Sequence, residues 1–417
     1  MNMINEIKVR NMMKHIQTIA AIGPRPDGTD ADHNAIRYIR EELETVGLTV
    51  GSLPLGVPVI ENIIVKLAIL GKGTYEIPCR ELLRPGLTPK EGITAPLVFV
   101  GKAFESDFKN SDVNGKIVFC YEDLPFEGPT PEECNFPGTK TENAFKAGAV
   151  GLIFSTRRKD RFIQTWGLHR ELDVIPSVSI PFPEFLKLQT TWEKDKDLMA
   201  HLTVYGKVKE GQTEVVYATL KGTKYPEKTI VIYGSHHETN PGTPGANDNA
   251  SGIAVMLELA RFFSQHQTKK TLVFVSTCGE ESGAWGSIEF VKQKEEVYGK
   301  QCEAAFIIDM VNSSENGMLA GAKNGMKTDF TLNKMLSGFA EELGYYLPVI
   351  EEPTITRGGL GDSFPWVEKG IHAVFIDGYY SDYFYHTDGD VFNVINTNVL
   401  KSIADPVAMT VQVLDEK

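Results

Sequence analysis

Apolar residues along the chain change their spacing twice. Residues 4–21 and 32–47 carry them at helical intervals. In the second stretch Ile36, Ile39, Leu43 and Val46 fall on one face, and Gly47 can end the helix. Residues 58–70 (PVIENIIVKLAIL) read as strand. From about 80 to 205 the texture is different. Strand-like runs such as APLVFV and GKIVFC alternate with Gly- and Pro-rich loops, and prolines near 86–97 and 181–184 mark turns. One helix-like piece, TENAFKAGAV, leads into a buried-looking strand, GLIFS. This region reads as an inserted, mostly β domain.

From about residue 210 strands and helices alternate. The strands are KTIVIYGS, TLVFVSTCG, EAAFIIDMV and IHAVFIDGY. The helices are GIAVMLELARFFSQH, AWGSIEFVKQ, TLNKMLSGFAEELG and a closing one over 397–415. Short apolar strands alternating with helices predict an α/β fold with a mostly parallel central sheet and helices on both faces. The expected division is 1–75 and 206–417 for this unit, with 76–205 as a smaller β-rich insertion.

The polar residues that interrupt this pattern cluster where strands end. TIVIYGS ends in His236-His237-Glu238, and the next loop carries Asp248 just before a helix. TLVFVSTCG runs into Glu280-Glu281, and AAFIID ends in Asp309. His386 follows the last strand. Carboxyl ends of parallel strands converge, and ligands bind there. Carboxylates and imidazoles gathered out of water repel and desolvate badly without a cation. Mixed His and carboxylate donors suit zinc, with manganese or cobalt as alternatives. The Glu280-Glu281 pair offers one ligand and one general base beside a metal-held water.

Composition narrows the partners. The 417-residue chain has a net charge of −13 and no long basic run, which argues against nucleic acid. No apolar stretch approaches a membrane span, and no apolar core of a secretory signal is visible at the N-terminus. The five cysteines are irregularly spaced with no CxxC pair, so a reduced, cytoplasmic protein is expected.

The motifs GANDNASG, GEESGAWGS, FIID and YHTDGD, with His236 ahead of them, resemble those of the M28 family of zinc aminopeptidases. The N-terminal IAAIGPRPDGTDADHNAIRYIREELETVGL also resembles that family. GKIVFC and AFKAGAVGLIF are similar to the protease-associated (PA) domain that some members carry inserted. The resemblance implies two zinc ions per chain. His236 and Asp309 would hold one, Glu281 and His386 the other, and Asp248 would bridge them. Glu280 would be the general base that takes the proton from water, the hydroxide so formed being shared by the metals as nucleophile, and Tyr385 an oxyanion donor. Tyr379, Tyr380 and Tyr383 compete with Tyr385 for that role. The implied substrates are peptides, shortened from the N-terminus. The oligomeric state stays open, a homodimer being one arrangement.

One position departs from the family pattern: Glu238 stands where an Asp usually orients the first His. Alternatives remain beside the aminopeptidase reading. Arg357 could meet a substrate carboxylate, as in a carboxypeptidase or dipeptidase, or be a loop arginine. A glutaminyl cyclase would use a single zinc, and a receptor-like binding protein none of this chemistry. Asp390 could orient a ligand or cap the last helix. His237 is read as a bystander, Trp285 as packing, and Gly245, Gly252 and Gly279 as turn residues.

Overall fold

A computed structural model describes residues 3–109, 111–122, 137–156, 163, 171–295, 298, 301–311, 318–322, 331–349, 361–378 and 383–417. The chain opens with helices α1 (Val9–Ile22) and α2 (Asp30–Thr45). Strands β1 (Thr49–Leu70), β2 (Thr74–Ile77), β3 (Arg80–Glu81) and β4 (Ile93–Phe99) follow. Then come α3 (Glu105–Phe108), β5 (Ile117–Glu122), α4 (Pro137–Lys146), β6 (Gly151–Thr156), β7 (Ser177–Ser179) and α5 (Phe182–Lys194). The second half begins with β8 (Met199–Leu220) and β9 (Tyr225–His236), continuing through α6 (Ala250–Ser264), β10 (Lys270–Thr277) and α7 (Trp285–Lys294). It closes with β11 (Cys302–Asp309), β12 (Met318–Ala322), α8 (Thr331–Glu342), α9 (Phe364–Glu368), β13 (Ala373–Asp377) and α10 (Thr397–Glu416).

The strands run in the order β12-β13-β11-β9-β10-β8-β4-β5-β6-β7-β3, with β1 paired to β8 and β2. β13, β11, β9 and β10 are mutually parallel, and β12 and β8 flank them antiparallel. This is the predicted α/β sheet. One face carries a core of α1, α2, α6, α8 and α10 side chains, including Ile16, Ile39, Phe262 and Leu336. The other face packs Trp285, Phe290 and Trp366 against Tyr233 and Val275. β4 to β7 form a second, parallel set with its own core around Phe119, Ile153 and Phe185.

The long pair β1–β8 runs through both halves. β1 is therefore longer than the strand predicted over 58–70. Its first part, residues 49–57, lies outside that prediction; β1 has only β8 as neighbour there, and an edge tolerates Pro54. The insertion also holds more helix than expected. α5 begins within the proline-containing stretch read as a turn, and Pro183 sits in its first turn, where no N–H is needed. Among the described residues no helix is long and apolar enough to cross a membrane.

α6 places the site. Its residues Ala250–Ala260 are all buried, so it lies beneath the other helices directly on β9 and β11. Gly252 is not a turn residue. It lies in the first turn of α6, where an added Cβ would sit 2.1 Å from the Ile308 carbonyl oxygen. Only a glycine lets the helix approach the strand that delivers Asp309. Gly252→Ala is expected to cost about 1–3 kcal/mol of stability through overpacking. A fall in the urea midpoint at unchanged m-value would show it; an unchanged midpoint would mean that α6 can shift.

Candidate metal centre

Each predicted ligand lies where a strand or helix ends. His236 closes β9, Asp309 closes β11, and Glu281 sits in a short 3-10 turn (Glu280–Ser282) after β10. Asp248 immediately precedes Asn249, the N-cap of α6. His386 lies in the loop after β13. All five are buried.

The structure brings these five into two overlapping groups. One is His236, Asp248 and Asp309; the other is Asp248, Glu281 and His386. His236 Nε2 lies 3.1 Å from Asp248 Oδ1 and 3.6 Å from Asp309 Oδ1. His386 Nε2 lies 3.1 Å from Asp248 Oδ2 and 2.8 Å from Glu281 Oε2. Donors about 2.0–2.1 Å from a common tetrahedral ion would stand roughly 3.3 Å apart, so these spacings bracket that value. Glu281 Oε1 and Asp309 Oδ1 are buried without a hydrogen-bond partner. Buried carboxylate oxygens left in this way call for a cation. The donor set therefore fits one divalent ion in each group, with Asp248 common to both.

Protonation follows the same logic. Burial lowers the His236 imidazole, but Glu238 and Asp309 overcome it and hold the ring well above its usual value. Burial likewise opposes charge on His386, yet Glu281 and Asp248 raise it to about 9. Burial would raise Asp248; hydrogen bonds from His236 and His386 reverse this and hold it below the usual carboxylate range. Burial drives Glu280 and Glu281 upward, and the carboxylates around them add to it.

Around the ligands lies a layer of orienting groups that the sequence shows only in part. His236 Nδ1 donates to the Glu238 carbonyl oxygen at 3.0 Å, which leaves Nε2 facing the carboxylates. The Glu238 carboxylate is 3.8 Å from that ring. Its Oε1 instead accepts the backbone N–H groups of Glu280 (2.6 Å) and Glu281 (3.3 Å). The extra methylene relative to Asp thus turns the acid from the histidine to the turn that carries the glutamate pair. Ser235 Oγ is shared between Asp309 Oδ2 (3.0 Å) and Asp362 Oδ2 (2.8 Å). Thr277 and Ser287 also donate to Asp362, both at 2.6 Å. Asn249 donates to the Gly234 and Ile308 carbonyls and accepts from the Gly252 and Met310 amides, tying α6 to the ends of β9 and β11.

The open readings also resolve. Asp390 accepts from the backbone N–H of Asn247 (2.7 Å) and Asp248 (3.0 Å), while Asn396 caps α10. Asp390 therefore holds the backbone of Asp248, a candidate ligand, and does not cap the last helix. His237 points away, with Nδ1 on Ser276 Oγ at 2.8 Å and Nε2 3.3 Å from Asp32. Trp285 packs, its Nε1 donating to Ser282 Oγ at 2.9 Å. Gly245 and Gly279 have positive φ, as turns require. The Tyr385 ring stacks on His386 with centroids 3.5 Å apart, whereas Tyr383 is exposed. Arg357, Tyr379 and Tyr380 lie outside the described residues. Asn249, Asp362, Arg25 and Asp27 were not singled out in the sequence. Arg25, fully buried, donates to the His237, Pro244 and Gly245 carbonyls and so fixes the loop that leads to Asp248.

A doubly covered α/β sheet with such paired donor groups at its carboxyl edge defines a metallohydrolase, and comparison with known proteins agrees. The model of peptidase family M28 matches residues 215–411, and that of the PA domain matches 93–188. The chain is 27% identical over 409 residues to aminopeptidase YwaD of Bacillus subtilis, covering 95% of this chain and 82% of that protein. It is 24% identical over 425 residues to carboxypeptidase Q of Bos taurus, covering 95% and 84%. The solved aminopeptidase from Aneurinibacillus sp. strain AM-1 superposes with a TM-score of 0.72 at 27% identity, covering 98% of this chain and 94% of that one. The chain is a metallopeptidase similar to peptidase family M28 over residues 215–411 and to the PA domain over residues 93–188.

Replacing Asp390 by Asn would set an amide NH2 against one of the two N–H groups it now accepts. Divalent-cation affinity, followed by chelator competition, is expected to fall about 10–100-fold, as for other groups that orient metal ligands. Wild-type affinity would show that Asp390 does not position Asp248.

Proposed function

We propose that this protein is an aminopeptidase working with two divalent cations, zinc foremost. The observation that carries the reading is the pair of buried donor groups sharing Asp248. His236 and Asp309 would hold one ion, Glu281 and His386 the other, and Asp248 both. The metal-active unit would comprise residues 1–75 and 206–417, with 76–205 as the insertion. Two relatives that align over nearly the whole chain are aminopeptidases by name, which favours release of N-terminal residues. The carboxypeptidase reading keeps the same site and differs in which end of the peptide is recognised.

The bound cations would activate water and polarise the scissile carbonyl. The remaining work belongs to side chains of this chain. Glu280 would take the proton from water and pass it to the leaving amine. Its burial and its acidic neighbours suit this role, because they favour a carboxyl that accepts a proton readily. Glu238, which accepts the backbone N–H groups of residues 280 and 281, would hold the turn that bears that carboxyl. Tyr385, stacked on His386, is placed beside the second donor group, where its hydroxyl could donate to a developing oxyanion.

Glu280→Gln is expected to lower turnover of an aminoacyl-p-nitroanilide about 10²–10⁴-fold, the range of general-base catalysis. Metal content by elemental analysis should stay near wild type. Near-normal activity would remove Glu280 as the base. Acetylating the substrate's amine should abolish hydrolysis; if it does not, and blocking the substrate's carboxylate does, the carboxypeptidase reading replaces this one.

A further inference from the structure

The segment between β3 and β4 belongs to the insertion by its hydrogen bonds. Leu82 N–H donates to the Ser177 carbonyl, Gly86 N–H to that of Ile175, and Arg84 accepts from Asp173 N–H. Yet the Arg84 side chain leaves this sheet and is buried against the other half of the molecule. Its Nη2 pairs with Asp27 Oδ2, and its Nη1 donates to Ser282 Oγ at 2.5 Å. The guanidinium carbon lies 5.8 Å from the centroid of the Trp285 ring.

These three partners surround the turn that carries Glu280 and Glu281. The other Asp27 oxygen accepts the Gly279 N–H at 3.2 Å. Ser282 Oγ also accepts from Trp285 Nε1. Gly279 has φ +73°, and a Cβ there would lie 2.0 Å from the Trp285 ring, so the ring closes directly on the backbone before Glu280. Asp27 comes from the segment before α2, Arg84 from the insertion, and Ser282 and Trp285 from the turn itself. A planar guanidinium can contact a carboxylate, a hydroxyl and an aromatic ring at once; an ammonium cannot reproduce this.

We propose that Arg84 is a positioning residue for the general base, through which the insertion sets the geometry of the 279–285 turn. This rests on the assignment of Glu280 as the base. Asp27 without its cation would be a buried, unpaired carboxyl released to rotate, and Gly279 would lose its acceptor. Of the side chains from outside the turn that accept its backbone N–H groups, Glu238 would then remain. The insertion thus acts in catalysis as well as beside it.

Arg84→Lys, which keeps the charge and loses the fork, tests this in the full chain. Turnover is expected to drop tenfold or more, with KM within twofold of wild type. Hydrogen exchange in the metal-free protein should rise in the peptide spanning 278–286 and stay unchanged across β11. Wild-type kcat with unchanged exchange would overturn the proposal. So would a uniform rise in exchange across the insertion and both cores, which would make Arg84 a general stability residue. Should Arg84→Lys fail to fold, Ser282→Ala removes one arm only; it should raise exchange in the same peptide and lower kcat several-fold. The exchange measurement needs neither metal nor activity. If Glu280→Gln keeps its activity, the base assignment falls, while exchange still decides whether Arg84 holds the turn.

Discussion

A carboxylate taken out of water loses hydration worth several kcal/mol even after the protein relaxes, and a neighbour of like charge adds to the cost. Here Glu238, Asp248, Glu281, Asp309 and Asp362 are all buried along one edge of one sheet. Much of the surrounding structure answers that constraint. Backbone N–H groups point at Glu238 and Asp390, hydroxyls of Ser235, Thr277 and Ser287 converge on Asp362, and Arg25 sits fully buried nearby. Burial opposes the charge on Arg25, but Asp390, Asp248 and Glu238 favour it; the balance leaves it at about 10, still a cation. What these groups leave unsatisfied includes Glu281 Oε1 and Asp309 Oδ1, on residues of the two donor groups. The site is a balance still short of positive charge.

The same constraint explains why the insertion is tied in so closely. Asp27 is buried, and burial with Asp32 nearby raises its carboxyl to about 6 even though Arg84 and His237 pull it down. Such a group is tolerated because Arg84 closes over it. Farther out, Arg80 of β3 reaches within 4.0 Å of Asp388, two residues beyond His386. The segment around β3 therefore touches the turn bearing Glu281 and the loop bearing His386. Exposed charges such as Arg80 and Asp388 contribute little to stability, whereas the buried Arg84 contact joins two cores that are also linked by the β1–β8 pair and the β8–β4 step.

Glu238 shows how one methylene redirects an interaction. Read in the sequence, it is an orienting acid displaced by one carbon, and a weakened hold on His236 is the natural expectation. In the structure His236 still donates from Nδ1, but to the main-chain carbonyl, and the carboxylate caps two amides instead. Through its carbonyl and its carboxylate, a single residue thereby holds both the His236 ring and the turn at 280–281.

The sequence alone determined the alternation of strands and helices, the parallel sheet it implies, and the five donors at strand ends. These are local facts: side-chain type, spacing and the point where an apolar run stops. It also isolated the glutamate pair, because two adjacent acids after a buried strand have no structural excuse. Tertiary structure alone decided which donors share an ion's worth of space and what holds them. Asp390 lies 142 residues from the amide it orients, Asp27 lies 252 from Gly279, and Arg84 lies 198 from Ser282. Contacts to backbone amides leave no mark on the donor residue's identity, and a lone Asp or Arg in a loop looks the same whether it is solvated or buried. The prolines at the start of α5 misled for the same reason: whether a missing N–H matters depends on its place in the helix, which only the folded chain supplies.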